Sequence, residues 1–307
     1  MKTSPFFAVI GLGYFAGKRG FFNTEATAYL TNFVFYFALS AMLFGFSSRL
    51  ELGDVLSADF VLAYLLATAL AYGVGFAFAM LRKIPVEEAA VEAQCWAIGN
   101  VGFLGIPMLG VLMGPEAVGY VMVALAVDLT VFGSLIVLVI VGALEGRMRF
   151  SVIGTLFLGL TKNPMIVAIV AGLSWSALDI PMPGPFFAFV SLLGAAATPC
   201  ALFAIGASLA EKTTERIETA FWLSFGKLIL HPTFVAISAL LIFDLPPYPA
   251  AVMIVASALP VAGNIYILAQ HYRIAPQRVS ASILVSTAIS VLSVSFVLSL
   301  VTTQGAF

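Results

Sequence analysis

Asp128 and Lys227 stand out because nothing in their sequence surroundings accommodates a charge. Asp128 lies inside an apolar stretch at 116–144 and Lys227 inside another at 218–243. At about 1.5 Å per helical residue they would sit about 18 and about 14 Å along their helices. That is near the middle of a hydrocarbon layer about 30 Å thick. A charge there costs about 2.5–3.5 kcal/mol on insertion scales, so each residue calls for a partner, a cavity or a role. The two can pair, which offsets part of the cost. Lys227 can also attract an anion or lose its proton on burial. His231 follows one turn after Lys227 and precedes Pro232. It is a candidate proton carrier, or a hydrogen-bond partner for a neighbouring helix. Asp128, Lys227 and His231 form the expected ion- or proton-coupling set.

A second chemistry is carried by two helix-breaking segments. Asn100-Val-Gly-Phe-Leu-Gly105-Ile-Pro107 and Ala258-Leu-Pro260-Val-Ala-Gly-Asn264 each interrupt an apolar run. Proline removes a backbone donor and blocks the carbonyl four residues back. Inside a membrane the freed groups need partners other than lipid. Two interrupted helices crossing one another supply such partners. Their half-helix N-termini, with partial positive charge, suit a carboxylate. The expected binding residues are Asn100, Gly105, Pro107, Pro260, Asn264 and Lys227. A simple kink is the plainer alternative for either segment alone; both falling at matching positions favours a site.

Other residues have bland readings. Gly11-Leu-Gly13-Tyr-Phe-Ala-Gly17 lies in an apolar helix with no strand before it, so close helix packing explains it better than nucleotide binding. Glu92 reads as a carboxylate reaching the membrane interface, and Gln94 as a weak cation ligand. Glu25 suits a helix start, and His271 a helix end. Cys95 and Cys200, in apolar runs, define neither a disulfide framework nor a metal site. No nucleophile–base pair or metal triad appears, so neither an enzyme nor a metal or other cofactor is expected.

The elements that must hold these residues are membrane helices. Of 307 residues, 62% are hydrophobic and only 9% charged, against roughly a quarter charged in a soluble domain. Soluble, disordered and nucleic-acid-binding classes are disfavoured together, the last also by a net charge of −1. Ten stretches are long enough to span: 5–19, 24–47, 58–82, 89–113, 116–144, 163–179, 184–210, 218–243, 247–271 and 277–301. Residues 150–161 are expected to lie in the interface. Loops after odd-numbered spans hold Lys18, Arg19, Arg82, Lys83, Arg147, Arg149, Lys162, Lys212, Arg216, Arg273 and Arg278, while the other side holds Lys2 and Arg49. That asymmetry puts the odd loops in the cytoplasm and both termini outside, as a multi-pass protein of the inner (plasma) membrane. Ser4-Pro5 and Asn163-Pro164 open spans one and six with a cap and a proline. The same shift of 159 aligns Leu43-Phe44 with Leu202-Phe203, and Ile106-Pro107 matches Leu259-Pro260 at a shift of 153. Five spans per half is odd, so the second half is inverted. The expected fold is an all-α polytopic membrane protein: ten helices as two inverted five-helix repeats, 1–149 and 150–307, with broken helices four and nine crossing.

The same residues carry a family resemblance. Asn100, Pro107-Met-Leu-Gly and Gly114 resemble the fourth helix of the auxin efflux carrier family, which includes the plant PIN-FORMED carriers and bacterial relatives. Ser257-Ala-Leu-Pro260 with Ile267-Leu-Ala-Gln-His-Tyr272 resembles its ninth. Thr198-Pro-Cys-Ala-Leu-Phe-Ala-Ile-Gly206 is similar to its seventh, and Asn32-Phe-Val-Phe-Tyr-Phe-Ala-Leu39 with Leu43-Phe44 to its second. The resemblance implies a crossover fold like that of bile-acid symporters and NhaA. It also implies a scaffold of helices 1, 2, 6 and 7, a transport domain of helices 3–5 and 8–10, and a homodimer. Many relatives carry proline where Ser40 stands, and the loop after span five is too short for the plant carriers' regulatory segments. The resemblance implies secondary transport of a small organic anion, a mono- or dicarboxylate of the malonate, malate or auxin kind. The cycle is expected to be linked to a proton or sodium ion, or driven by the membrane potential. The alternatives are a sodium-coupled symporter of bile-acid type, and a membrane sensor without net transport.

Overall fold

The computed structural model describes residues 4–49, 57–145, 161–210 and 217–303. The expected interfacial segment at 150–161 lies outside the described residues except for Thr161, as do Lys2, Arg147, Arg149, Lys212 and Arg216. The described chain is helical, without a strand. In order it runs α1 (Ser4–Lys18), α2 (Thr24–Ser47), α3 (Ala58–Leu81), α4 (Val86–Ala97), α5 (Val101–Leu112) and α6 (Pro115–Leu144). It continues through α7 (Pro164–Ala177), α8 (Gly184–Leu209), α9 (Ile217–Ile242), α10 (Pro247–Ser257), α11 (Gly263–Tyr272) and α12 (Pro276–Thr303). Six of these, α2, α3, α6, α8, α9 and α12, are long and apolar enough to cross a membrane. Their outward side chains fit that solvent: Leu192 and Leu241 are each 79% exposed, a surface water would not tolerate in quantity.

Local chemistry explains the ends. Asn23 caps α2, accepting from Ala26 N at 2.8 Å. Asn163 caps α7, accepting from Met165 N at 3.0 Å, and Pro164 occupies the first turn, where its missing donor costs nothing. Glu25 stands in the first turn of α2, where the helix dipole favours an acid. Lys83 after α3, Arg273 after α11 and Asp244 after α9 turn the chain with positive φ.

The chain divides into two compact units. The first comprises Met1–Ser57, Gly102–Val123 and Phe157–Glu211. Its tightest contact joins α1 to α8. A side chain at Gly13 would strike the carbonyl of Phe203, and one at Gly206 the carbonyl of Ile10. The small residues let two backbones touch, the means by which membrane helices associate without a hydrophobic drive. Gly11 plays no part, having nothing within 4 Å of where a side chain would start. Phe44, Trp175 and Phe186 form an aromatic cluster with centroids 5.9–6.1 Å apart.

The second unit comprises Ala58–Val101, Ala124–Leu156 and Lys212–Phe307. Trp96 of α4 is fully buried, with Trp222 of α9 at 5.3 Å and Phe78 of α3 at 5.9 Å. Along α12, Ser282, Ser286 and Ser290 are buried and donate to carbonyls of their own helix, while the buried Ser293 Oγ has no hydrogen-bond partner.

Candidate functional site

The two interruptions meet in the second unit. α4 ends at Ala97 and the chain turns extended at Ile98, while α10 ends at Ser257 and the chain opens through Pro260. Gly99 and Val261 form an antiparallel bridge. Asn100 N donates to Pro260 O at 2.8 Å, and Ala262 N to Ile98 O at 3.2 Å. Val261 N donates to Ser286 Oγ at 3.1 Å. The groups released by breaking two helices satisfy each other, as membrane burial demands. Pro260 stands at its break. The break in span four falls at 98–100, not at Pro107. Pro107 sits buried in the opening turns of α5, next to a π turn at Val101–Gly105. A π turn already relaxes the regular ladder that proline would otherwise disrupt.

Lys227 reaches this crossing. It is fully buried, its ammonium donates to the carbonyl of Ser257 at the end of α10, and it contacts His231 Nδ1 at 2.8 Å. A helix C-terminus carries partial negative charge, so a cation is favoured there. Gly99 makes room: a side chain there would begin 3.1 Å from Lys227 Cε and 3.2 Å from Nζ.

Asp128 is 3% exposed, and Tyr64 of α3 donates to its two oxygens at 3.1 and 3.2 Å. Asp128 and Lys227, for which the sequence allows a direct pair among other roles, make no direct ion pair. Among the described residues the ion pairs are Arg82–Glu92, Arg278–Glu88 and Arg278–Glu92. His231 Nε2 instead lies 3.2 Å from Thr68 Oγ1, one turn from Tyr64 on α3. Tyr64 and His231 rings pack with centroids 6.2 Å apart.

Sequence reasoning missed two features. First, Asp128 and Lys227 both lie in π turns, at Asp128–Phe132 and Gly226–Leu230. Such turns are rare and concentrate at functional positions. Second, Tyr64 and Thr68 are the hydrogen-bond partners of Asp128 and His231. Their signal was two polar side chains four apart in an apolar helix, mirroring Lys227 and His231.

The other expected residues differ in burial. Asn100 is half-buried and Asn264 is exposed in the first turn of α11. Gly105 and Pro107 are buried in the first unit. Glu92 is buried by its partners rather than exposed. It is 2% exposed, bonded to Arg82 and at 2.8 Å to Arg278, whose other nitrogen bonds Glu88 at 2.7 Å. Burial, and then the like charge of Arg278, lower the pKa of the Arg82 guanidinium from its usual value. Gln94 is 5% exposed and its Oε1 has no hydrogen-bond partner. Cys95 is a buried free thiol 3.9 Å from Ser282 Oγ.

Comparison with known proteins gives the family. The profile of a family described as "Membrane transport protein" matches residues 1–298. A "Putative malonate transporter" of Rhizobium meliloti (strain 1021) is 29% identical, covering 97% of this chain and 94% of the relative. An "Uncharacterized transporter YfdV" of Escherichia coli (strain K12) is 25% identical, over 92% of this chain and 91% of its own length. Two crossing interrupted helices, buried charges and a family match along almost the whole chain converge: the protein belongs to the membrane transport protein family of the auxin efflux carriers, and it is a transporter, not an enzyme.

Proposed function

We propose that the protein is a secondary transporter that carries small organic anions by alternating access, binding the carboxylate beside the crossing of the interrupted helices. The observation that carries this is Lys227: a cation buried in apolar surroundings and held against the crossing by Ser257 and His231. An ammonium has three donors, and these two contacts account for two. The third suits a carboxylate oxygen, with Asn100, Pro260 and Asn264 on the crossing segments as further contacts. The relative named a malonate transporter supports a short dicarboxylate. Asp128, Lys227 and His231 form the coupling set, with a proton as the coupling ion. The reading extends to ten spans in two inverted repeats, a scaffold of spans 1, 2, 6 and 7, and a transport domain of spans 3–5 and 8–10. It includes a homodimer in the inner (plasma) membrane. Spans 1, 2, 6 and 7 falling in one unit, and 3, 8, 9 and 10 in the other, supports that division.

The test is uptake of labelled malonate, malate and an aromatic monocarboxylate into proteoliposomes. Losing a hydrogen bond to a charged group costs about 1.5–3 kcal/mol, so Lys227→Met is expected to lower uptake about 10- to 100-fold. Asn100→Ala with Asn264→Ala should lower it about 10-fold or more. Uptake unchanged by both sets of substitutions would remove the site.

Gln94 favours a sodium-coupled second reading. Its Oε1 is a buried acceptor without a partner, and its backbone carbonyl takes the last hydrogen bond before the break, from Ile98 N at 2.9 Å. Uptake that collapses when choline replaces sodium would select this reading. Uptake that collapses only with a protonophore would reject it.

A further inference from the structure

Asp128 and Lys227 are the two charges of the membrane interior of the second unit, and no direct pair joins them. A row of buried polar side chains from α9 and α3 does, with Thr68 and Tyr64 one helical turn apart as its middle step. Lys227 Nζ meets His231 Nδ1 at 2.8 Å, and His231 Nε2 meets Thr68 Oγ1 at 3.2 Å. Tyr64 stands one turn before Thr68 on α3, its ring centroid is 6.2 Å from that of His231, and its Oη donates to Asp128. Every member of the row is buried.

The chemistry of the end groups gives the row a direction. A charged lysine has donors only, so the nitrogen facing it must be bare. His231 is then neutral with its proton on Nε2, a tautomer inferred from its neighbours. Nε2–H donates to Thr68 and, one helical turn away, Tyr64 donates to the Asp128 carboxylate. Each link can act in the opposite sense as well, because hydroxyls and imidazole both donate and accept.

We propose that His231, Thr68 and Tyr64 form a proton relay through which Lys227 and Asp128 gain and lose charge together. One proton shifts at each link. Lys227 gives a proton to Nδ1, Nε2 gives its proton to Thr68, Thr68 to Tyr64, and Tyr64 to Asp128. The products are a neutral amine and a neutral acid, with His231 now protonated on Nδ1 and every hydrogen bond reversed. No proton is taken from or released to solvent. The unit's net charge is unchanged, yet the cation at the crossing is gone. An anion held there in the first state loses its counter-charge in the second. This consequence rests on the transport reading above; the relay itself does not. The surrounding elements add no competing charge to the row. Glu88, Glu92 and Arg278 from α4 and α12 pair with one another and with Arg82, Cys95 of α4 approaches Ser282, and α10 contributes the Ser257 carbonyl.

The imidazole reports the state without substrate. The chain has two histidines, so His271→Asn leaves His231 as the sole signal in protein labelled with ¹⁵N-histidine and placed in nanodiscs. The relay predicts a major Nε2–H tautomer and a minor Nδ1–H tautomer of roughly 0.1–10%, the usual range of a minor state. Asp128→Asn removes the acceptor of the proton, and Tyr64→Phe removes one link while keeping the ring. Neither residue bonds His231, yet each should abolish the minor tautomer. Tyr72→Phe, at a buried tyrosine whose hydroxyl has no partner, should leave the mixture unchanged. Identical tautomer populations in the parent, Asp128→Asn and Tyr64→Phe proteins would overturn the relay, as would an imidazolium beside Lys227. Should Asp128→Asn fail to fold, Tyr64→Phe decides alone. Because no flux is measured, a failed relay and a failed transport reading give separate results.

Discussion

Lys227 reaches the crossing only because residue 99 has no side chain. In Gly99→Ala the new methyl would begin 3.1 Å from Lys227 Cε and 3.2 Å from Nζ. Both are atoms of a flexible side chain, so the lysine gives way rather than the backbone. Stability should fall by about 1 kcal/mol, the low end for added volume in a packed site. Anion uptake should fall several-fold as the ammonium leaves Ser257. Thermal melting and proteoliposome uptake on the same preparation separate the two effects; a large melting loss with normal uptake per folded protein would contradict this geometry. The charges themselves were legible in the sequence, because an ion in an apolar run is an exception that composition exposes. Their partners were not. Tyr64 and Thr68 look unremarkable in a helix of small and aromatic residues, and what matters is that α3 and α9 meet with those faces together. The π turns that carry Asp128 and Lys227 were equally hidden, since they change which residues align along a helix without changing the residue types.

At the scale of elements, the ends of α3, α4 and α12 are tied by one ion-pair group. Glu92 is 2% exposed and binds both Arg82 and Arg278. Removing one partner of a buried pair costs about 3–5 kcal/mol. Arg82 is 39% exposed and recovers water, which screens its share. Glu92→Gln should therefore cost roughly 2–3 kcal/mol, less than the fully buried figure. Adding Arg278→Gln should restore part of that loss, because it removes the cation left without its carboxylate. A double-mutant cycle by denaturation in detergent checks this; additive losses would show that Glu92 and Arg278 act independently. The contact between α1 and α8 is a similar case of geometry read from type. Glycines in a membrane helix signalled close packing, and Gly13 and Gly206 meet the facing backbones. Gly206→Leu should uncouple these helices and lower the melting temperature sharply, while Gly11→Leu, which faces open space, should not. The broken helices show where such reading stops. Proline marked the right segments, yet in span four the break lies at 98–100, where an extended partner from α10 is available to bridge it.

For the whole molecule, the distribution of cations makes the boldest statement. On the ten-span reading of the sequence, eleven lysines and arginines follow odd-numbered spans and two lie on the opposite side. Orientation follows such counts because cytoplasmic loops retain cations. Two exposed positions in described loops test it. Phe21, 79% exposed beside Lys18 and Arg19, should face the cytoplasm. Leu178, 68% exposed after α7, should face outward. Native Cys95 and Cys200 are first replaced by alanine. A membrane-impermeant maleimide should then label Leu178→Cys in intact cells, and Phe21→Cys only after permeabilisation. The reverse pattern would invert the orientation and place both termini in the cytoplasm. It would also change which side of the membrane the Arg82–Glu92–Arg278 group faces. Lys227 and Asp128 lie within the apolar span, so the charge arrangement proposed for the crossing is the same in either orientation. What the orientation decides is whether the cytoplasmic or the outer aqueous phase adjoins that ion-pair group at the ends of α3, α4 and α12.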